Sequence, residues 1–209
     1  MAIEAQGTKF EIESGSGVAK NISAISLGAI SEITSSGHGL SIGDVVTFAS
    51  VGGATGFNGL SAMVIGSETN TFFVPIDSSE FETYTEGGTA TPATYTEVGE
   101  VVDFDGPGAT ANTIDVTHLG SDFREKLMGL RDWGELTLTC NLDIDDTGQQ
   151  AVEAACDARS QIGFRITYSS DDVQTFDGYV LGTSISGGAD DKVNYTITIA
   201  ITGDVSTNP

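Results

Sequence analysis

The 209-residue sequence is strongly acidic, with 30 Asp and Glu against 8 Lys and Arg and a formal net charge of −22. Such a charge repels phosphate, so we expect neither nucleic-acid binding nor attachment of the single chain to an anionic membrane surface. No apolar run reaches the roughly 18 residues that a membrane-spanning helix needs. Glycine is frequent and proline rare, 27 residues against 4, which is typical of short strands joined by tight turns.

The N-terminal half predicts one strand followed by a small separate β domain. Phe10 and Ile12 alternate with charged residues in a strand at 8–12, and the Ser-Gly-Ser-Gly at 14–17 predicts a linker. The chain then continues to about residue 91 with no Lys or Arg after Lys20 and with short apolar runs bounded by Gly, Asn and Asp. A second linker is predicted at 85–94.

The domain organisation follows from these composition changes. Residues 21–92 are expected to form a small all-β domain inserted after the first strand. A larger domain would consist of residues 1–20 and 93–209. The insertion requires the two ends of the small domain to lie close in space.

Longer strands are predicted in the larger domain at 96–104, 134–144, 161–169, 174–186 and 192–202. The segment 134–144 alternates strictly between apolar and polar residues, which is typical of a half-buried strand. Its apolar face contains Leu136, Leu138, Cys140, Leu142 and Ile144. The segment 192–202 alternates in the same way, with Val193, Tyr195, Ile197, Ile199 and Ile201 on one face.

Only one helix is predicted with a defined start. Thr147 and Gln150 have the spacing of a capping box, and Val152, Ala155 and Cys156 then form an apolar stripe in a helix that extends to Ser160. The predicted fold class is therefore mainly β with one flanking α-helix and a small inserted all-β domain.

The sequence contains no constellation of residues that favours catalysis, a cofactor or a metal. His38 and His118 lack a nucleophile signature and are expected to be structural or surface residues. Cys140 and Cys156 fall on apolar faces and are expected to be buried thiols. The acids after residue 142 resemble the start of a calcium loop, but the twelfth position is Ala154 instead of the required Glu.

One segment, 105–132, combines basic and apolar residues in this otherwise acidic chain. It predicts a contact with another acidic copy of the chain, although a loop folded over its own core remains the alternative. A short helical turn is predicted at 121–130. The residues expected at the contact are Phe123, Arg124, Lys126, Leu127, Leu130 and Arg131.

Two strands each have a polar face made of small residues. Threonine is usually mixed with larger charged residues on an ordinary solvated strand face, so these rows indicate a special surface, with simple exposure to bulk solvent as the alternative. The first row is Glu135, Thr137, Thr139, Asn141 and Asp143. The second row is Lys192, Asn194, Thr196, Thr198 and Thr202.

Residues 95 to 205 resemble the major tail tube proteins of long, non-contractile-tailed phages (siphophages). The resemblance is carried by TEVGEVVDFDGPGATANTIDVTHLGSDFREKLMGLRDWGELTLTCNLD, by the helix TGQQAVEAACDARS, and by the strands from GFRITYSS to ITGDV. Residues 33–79 are similar to a small β domain found in ubiquitin-activating enzymes and in phage tail proteins. Nothing in the sequence resembles the chemistry of those enzymes, so this second resemblance implies shape alone.

The resemblance implies a structural subunit with a β-sandwich core. Six copies would close their inner sheets into a ring, and rings would stack into a tube that conducts genomic DNA into the host without binding it specifically. The polar rows would then face the lumen, the segment 105–132 would join adjacent rings, and residues 21–92 would lie on the tube exterior. Other tail proteins would cap the tube, which would be assembled in the bacterial cytoplasm. A surface adhesin or carbohydrate-binding module of the virion is the alternative, whereas an enzyme has no supporting site.

Overall fold

The computed structural model describes residues 3–208, and this part of the chain is mainly β. It contains sixteen strands, the helix α1 at Thr147–Ala158 and a short 3-10 turn at Thr55–Phe57. The strands are β1 Lys9–Ser16, β2 Lys20–Asn21, β3 Ala24–Ser26, β4 Ser31–Thr34, β5 Val45–Ala49, β6 Ser61–Met63, β7 Gly66–Ser67, β8 Thr71–Val74, β9 Thr89–Glu97, β10 Val101–Asp105, β11 Thr110–Asp115, β12 Lys126–Asp132, β13 Glu135–Asn141, β14 Ile162–Thr167, β15 Val173–Ser186 and β16 Asn194–Thr207.

The chain divides into two compact units. The first contains the residues up to Val98, the segment Gly163–Thr175 and the C-terminal residues from Ser206, and the second contains Gly99–Ile162 and Phe176–Val205. The small domain expected at 21–92 lies wholly within the first unit. Its boundaries remain a prediction.

In the first unit, β9 pairs with strands on both sides of the expected domain boundary. Its C-terminal part is antiparallel to β1, and its N-terminal part is antiparallel to β5 and β2. The linker predicted at 85–94 is therefore wrong for residues 89–94. Threonine fits a strand, and the Pro92 carbonyl accepts a hydrogen bond from the Gly17 amide at 2.7 Å. The linker predicted at 14–17 is likewise mostly strand, since β1 continues to Ser16.

The small-domain region has its own apolar core. Strands β3, β4, β8 and β7 form a four-stranded antiparallel sheet. Phe48 packs against Phe57 at a ring-centroid distance of 5.3 Å and stacks with Phe72 at 6.5 Å. The buried apolar cluster consists of Ile22, Ile33, Leu40, Val46, Phe48, Val51, Ala54, Phe57, Val64, Phe72, Val74 and Ala90.

In the second unit, β13 lies between β10 and β16, antiparallel to both. Leu136, Leu138 and Cys140 are buried, as the alternation predicted, and they lie opposite the buried Ile199, Ile197 and Tyr195 of β16. The single strand predicted at 96–104 is wrong, because β9 ends at Glu97 and β10 begins at Val101. Between them, Glu100 adopts a φ of +60° and the Gly99 amide donates to the Asp146 carboxylate at 3.2 Å.

The predicted helix is present, but its cap is different. Asp146 is the N-cap residue, and its Oδ1 accepts a hydrogen bond from the Gln149 amide at 2.7 Å. The capping box predicted at Thr147 and Gln150 is therefore wrong, because the N-cap lies one residue earlier and the Asp146 amide donates to the Asp143 carbonyl. Gln149 is buried and its side chain bonds the backbone of Asn141 at 2.9 Å and Asp143 at 3.1 Å. These bonds connect the start of α1 to the end of β13.

Candidate functional site

The polar residues of β13 and β16 lie directly opposite one another. In the antiparallel register, Thr137 faces Thr198 and Thr139 faces Thr196, and Asn141 faces Asn194. All six residues are half-buried within the single chain. Since directly opposite residues share a face of the sheet, the two rows predicted from the sequence form one continuous surface.

Strand β10 adds two carboxylates to this surface. Asp105 lies opposite Thr137, and Asp103 lies opposite Thr139, and both acids are exposed. Sequence reasoning missed them because it assigned 96–104 to a strand without deciding which residues share a face. The alternation of Asp103, Phe104 and Asp105 in the sequence indicates that the two acids share one face of a strand. Strands β10, β13 and β16 together contain no Lys or Arg, so the surface has fixed negative charges and no cations.

The C-terminal end of the first predicted row differs from the prediction. Strand β13 ends at Asn141, whose amide donates to the Glu100 carboxylate at 2.8 Å. Asp143 lies beyond the strand, in the turn before α1, and accepts a hydrogen bond from the Asp145 amide at 3.0 Å. Ile144, expected on the core face, is exposed. The apolar–polar alternation of the sequence continues past Asn141. The strand nevertheless ends there, because the Gln149 side chain bonds the backbone of Asn141 and Asp143.

The segment 105–132 forms a β-hairpin instead of an irregular loop with a helical turn. Strands β11 and β12 pair antiparallel, with Ile114 opposite Leu127 and Asp115 opposite Lys126. The predicted helical stripe of Phe123, Leu127 and Leu130 is therefore wrong. Its residues belong to the hairpin tip and to β12, because strand pairing within the hairpin outweighed the local helical spacing.

The apolar side chains of the hairpin are largely uncovered by the rest of the described chain. Phe123 and Leu130 are 85% and 93% exposed, and both faces of the two-stranded sheet carry exposed apolar side chains. A two-stranded hairpin with so little buried surface is marginally stable alone, so this element is suited to being covered by another molecule. The exposed large apolar residues of the segment are Ile114, Val116, Leu119, Phe123, Leu127, Met128 and Leu130.

Local hydrogen bonds nevertheless give the hairpin a defined shape. At the tip, the Glu125 amide donates to Thr117 Oγ1 at 3.1 Å, and the Gly120 amide donates to His118 Nδ1 at 3.0 Å. At the base, the Trp133 indole donates to Asp204 of β16 at 3.0 Å, and the Arg131 guanidinium lies 5.5 Å from the centre of the Trp133 ring. The hairpin is thus anchored to the sheet that carries the polar surface.

The basic residues of the hairpin are available for intermolecular contacts. Arg124 and Lys126 are exposed, and among the described residues neither lies within 4.0 Å of a carboxylate. Arg131 is also exposed. Cations beside unpartnered apolar side chains match the requirements of a contact with an acidic protein surface.

The histidines and cysteines occupy structural positions. His38 is buried, and its Nδ1 accepts from the Leu40 amide at 3.0 Å, so its Nε2 carries the proton and faces the Thr71 carbonyl at 3.2 Å. Cys140 is buried, which confirms the prediction, whereas Cys156 is half-buried. Burial, together with the charges of Asp146 and Glu100, raises the pKa of Cys140 to about 11, so this thiol is protonated at neutral pH.

Within residues 3–208, no group of three His, Cys, Asp or Glu side chains is placed to hold a metal ion. The described helix is too short and too polar to cross a membrane.

Two family models match the chain, and together they cover most of it. The model described as "Lambda phage tail tube protein, TTP" matches residues 78–208. The model described as "Ubiquitin-activating enzyme E1 FCCH domain" matches residues 26–93, the region of the expected small domain. The comparison with curated protein sequences found no match.

Two solved structures show a more distant likeness. One is the virion of a native gene transfer agent particle, in which the similar chain has 18% sequence identity, a TM-score of 0.48, and covers 55% of this chain and 89% of its own. The other is the tail of an empty gene transfer agent particle, computed with helical refinement and C6 symmetry, with 18% identity, a TM-score of 0.48, and coverage of 55% and 87%. These likenesses are too distant to carry an argument.

The first family model covers well over half of the chain, and it includes the polar surface, the hairpin and α1. The predicted fold class, a mainly-β tail-tube sandwich with one helix, is confirmed. The expectation that the chain is not an enzyme agrees with the structural role of this family. The chain belongs to the lambda phage tail tube protein family and is a structural subunit of the virion tail tube.

Proposed function

We propose that the chain polymerises as stacked hexameric rings around a channel that conducts genomic DNA into the host. The rings form in the bacterial host cytoplasm, and other tail proteins bind the two ends of the tube. Joining subunits edge to edge pairs the strand edges that would otherwise promote uncontrolled association.

The observation that carries this proposal is the cation-free polar surface of β10, β13 and β16. Each Lys or Arg that contacts a phosphate releases counterions and tethers the DNA, so a wall along which DNA slides should be neutral or acidic. The paired threonines give a hydrated surface without bulky side chains, and Asp103, Asp105 and Glu135 repel phosphate.

We assign this surface to the channel wall. The residues proposed to face the lumen are Glu135, Thr137, Thr139, Asn141, Asp143, Asn194, Thr196 and Thr198. We include Asp103 and Asp105 in the proposed wall because they lie opposite Thr139 and Thr137.

The hairpin β11–β12 is proposed to join one ring to the next. Its exposed apolar residues gain most from being covered, and its cations suit the acidic surface of a neighbouring copy. The contact residues are Phe123, Arg124, Lys126, Leu127, Leu130 and Arg131. Residues 21–92 form the inserted small domain on the tube exterior, and residues 1–20 and 93–209 form the tube core.

Electron microscopy of the purified protein tests the assembly. Rings with sixfold symmetry or hollow tubes are the expected result, whereas a persistent monomer that binds glycans would favour the adhesin alternative.

The channel wall is tested by labelling assembled tubes with a maleimide too bulky to enter them. In a Cys156→Ser background, a cysteine at Thr139 or Thr198 is expected to react slowly in tubes and rapidly after the tubes are dissociated. A cysteine at the exposed Val18 serves as the control and should react rapidly in both states. Rapid labelling at Thr139 in intact tubes contradicts the lumen assignment.

A further inference from the structure

Strand β15 carries an apolar stripe that no part of the second unit covers. Tyr179, Leu181 and Ile185 are exposed, and their odd spacing places them on one side of the strand. Contiguous apolar side chains on a sheet surface mark an interaction site more often than isolated ones do. The family assignment gives this stripe no role.

The surroundings of the stripe are acidic. Near one end, the Tyr179 hydroxyl lies 3.4 Å from Gln161 Oε1, and the Gln161 amide donates to the Asp177 carboxylate at 3.0 Å. Asp177 lies on the same side of the strand as the stripe, so its carboxylate borders the Tyr179 end. Further along, burial raises the pKa of Tyr195 on the neighbouring strand β16 to about 12, and the negative charge of Glu153 of α1 contributes to this rise.

The hairpin has the complementary properties. It presents exposed Phe123 and Leu130 beside Arg124 and Lys126, which form no ion pair with the carboxylates of residues 3–208. One chain thus carries two different unpartnered apolar surfaces, one bordered by cations and the other by anions. Contact between two such surfaces on identical chains is heterologous, so every copy uses both and the assembly grows as a ring or a stack.

We propose that the β11–β12 hairpin of one copy docks on the β15 stripe of the neighbouring copy. Phe123 and Leu130 pack against Leu181 and Ile185, and the hairpin cations face the acidic surroundings of the stripe. This inference rests on the proposed tube function and names the surface that receives the hairpin.

The charges favour the β11–β12 hairpin of a neighbouring copy, and not the small-domain region of that copy, as the occupant of the stripe. Residues 21–92 contain no Lys or Arg, so they offer no cation to the acidic surroundings of the stripe. Three of the chain's 8 basic residues, by contrast, lie on the hairpin between 124 and 131.

Paired cysteines test the contact in the assembled protein. The variant combines Phe123→Cys with Leu181→Cys in a Cys156→Ser background, and the assemblies are oxidised before a non-reducing gel. Cys140 is retained because it is buried. The matched control combines Phe123→Cys with Ile30→Cys in the small-domain region, since Ile30 and Leu181 are equally exposed at 56%.

A ladder of covalent multimers is expected from the first pair, because each copy would bond to two neighbours, and single-cysteine variants should stop at dimers. A ladder from the Ile30 pair alone overturns the proposal and identifies the small-domain region as the docking surface. Rings or tubes that give no ladder with Leu181 also overturn it and leave the tube function standing. Absence of any assembly in the wild type contradicts both.

A second measurement does not depend on cross-linking. Leu181→Asp is expected to leave the circular dichroism spectrum unchanged and to abolish assembly, whereas Ile30→Asp should assemble normally. Normal tubes from folded Leu181→Asp protein overturn the proposal.

Discussion

Arg165 of β14 holds Glu11 of β1 through two parallel hydrogen bonds, with Nε 2.7 Å and Nη2 2.8 Å from the carboxylate oxygens. The two residues lie directly opposite in the strand register, and the guanidinium also lies 4.4 Å from the Tyr95 ring centre and 3.7 Å from Asp44. Burial opposes the charge, but these partners together raise the pKa of Arg165. This ion pair thus connects strands of the first unit to the start of the small-domain strand β5.

Arg165→Met is expected to destabilise the protein by about 3 kcal/mol, because it leaves a nearly buried Glu11 carboxylate without its partner. The matched control is Lys9→Met, which breaks an exposed pair with Glu97, where the side chains are 56% and 54% exposed against 22% and 13% for Arg165 and Glu11. That loss should stay below about 1 kcal/mol. Equal losses for the two variants in urea unfolding would show that the Arg165 pair has no special role.

The helix cap is tested by Asp146→Ala. This change removes the acceptor for the Gln149 amide and for the Gly99 amide, so a loss of about 1–2 kcal/mol is expected. Thr147→Ala should be nearly neutral, because Thr147 is the first residue of the helix and not its cap. A larger loss of stability for Thr147→Ala than for Asp146→Ala in thermal unfolding would instead support the capping box expected from the sequence.

The free energy of unfolding should fall in alkaline solution because the folded protein keeps the Cys140 thiol protonated. The folded state raises its pKa from 9.0 to about 11, so between these values the unfolded chain releases a proton that the folded chain retains. The free energy of unfolding therefore decreases as pH rises from about 9 to about 11. Tyr195, raised from 10.0 to about 12, adds a decrease of the same sign at higher pH.

The measurement is urea unfolding at several pH values, with Cys140→Ala as the comparison. The variant is expected to start less stable but to lose less stability between pH 9 and 11. Parallel curves for the two proteins would exclude Cys140 as the source of the decrease.

The hairpin should matter for assembly and not for folding. Phe123→Ser combined with Leu130→Ser removes two side chains that contact little in the single chain, so the unfolding midpoint is expected to change very little. Long tubes should disappear, as judged by electron microscopy and sedimentation. Val18→Ser, at a similarly exposed apolar position, is the control. A large loss of stability in the hairpin variant would mean that the hairpin packs on its own chain.

The sequence by itself determined the elements that depend on strict periodicity. The alternation at Leu136, Leu138 and Cys140 predicted a half-buried strand, because one-sided burial requires a period of two. The stripe at Val152 and Ala155 predicted the helix for the corresponding reason. The sequence also predicted the two polar rows, since the small residues Thr137, Thr139, Thr196 and Thr198 alternate with apolar core residues.

The tertiary structure alone decided the pairing between strands and the ends of the elements. The register that places Asp103 and Asp105 beside Thr139 and Thr137 depends on hydrogen bonds between segments more than 30 residues apart, which no local pattern encodes. The same applies to the hairpin, where pairing of Ile114 with Leu127 outweighed a helical spacing. Strand β13 ends at Asn141 because Gln149 binds the following backbone. The spacing of apolar residues does not encode this contact, so the alternation in the sequence continues past the residue where the strand ends.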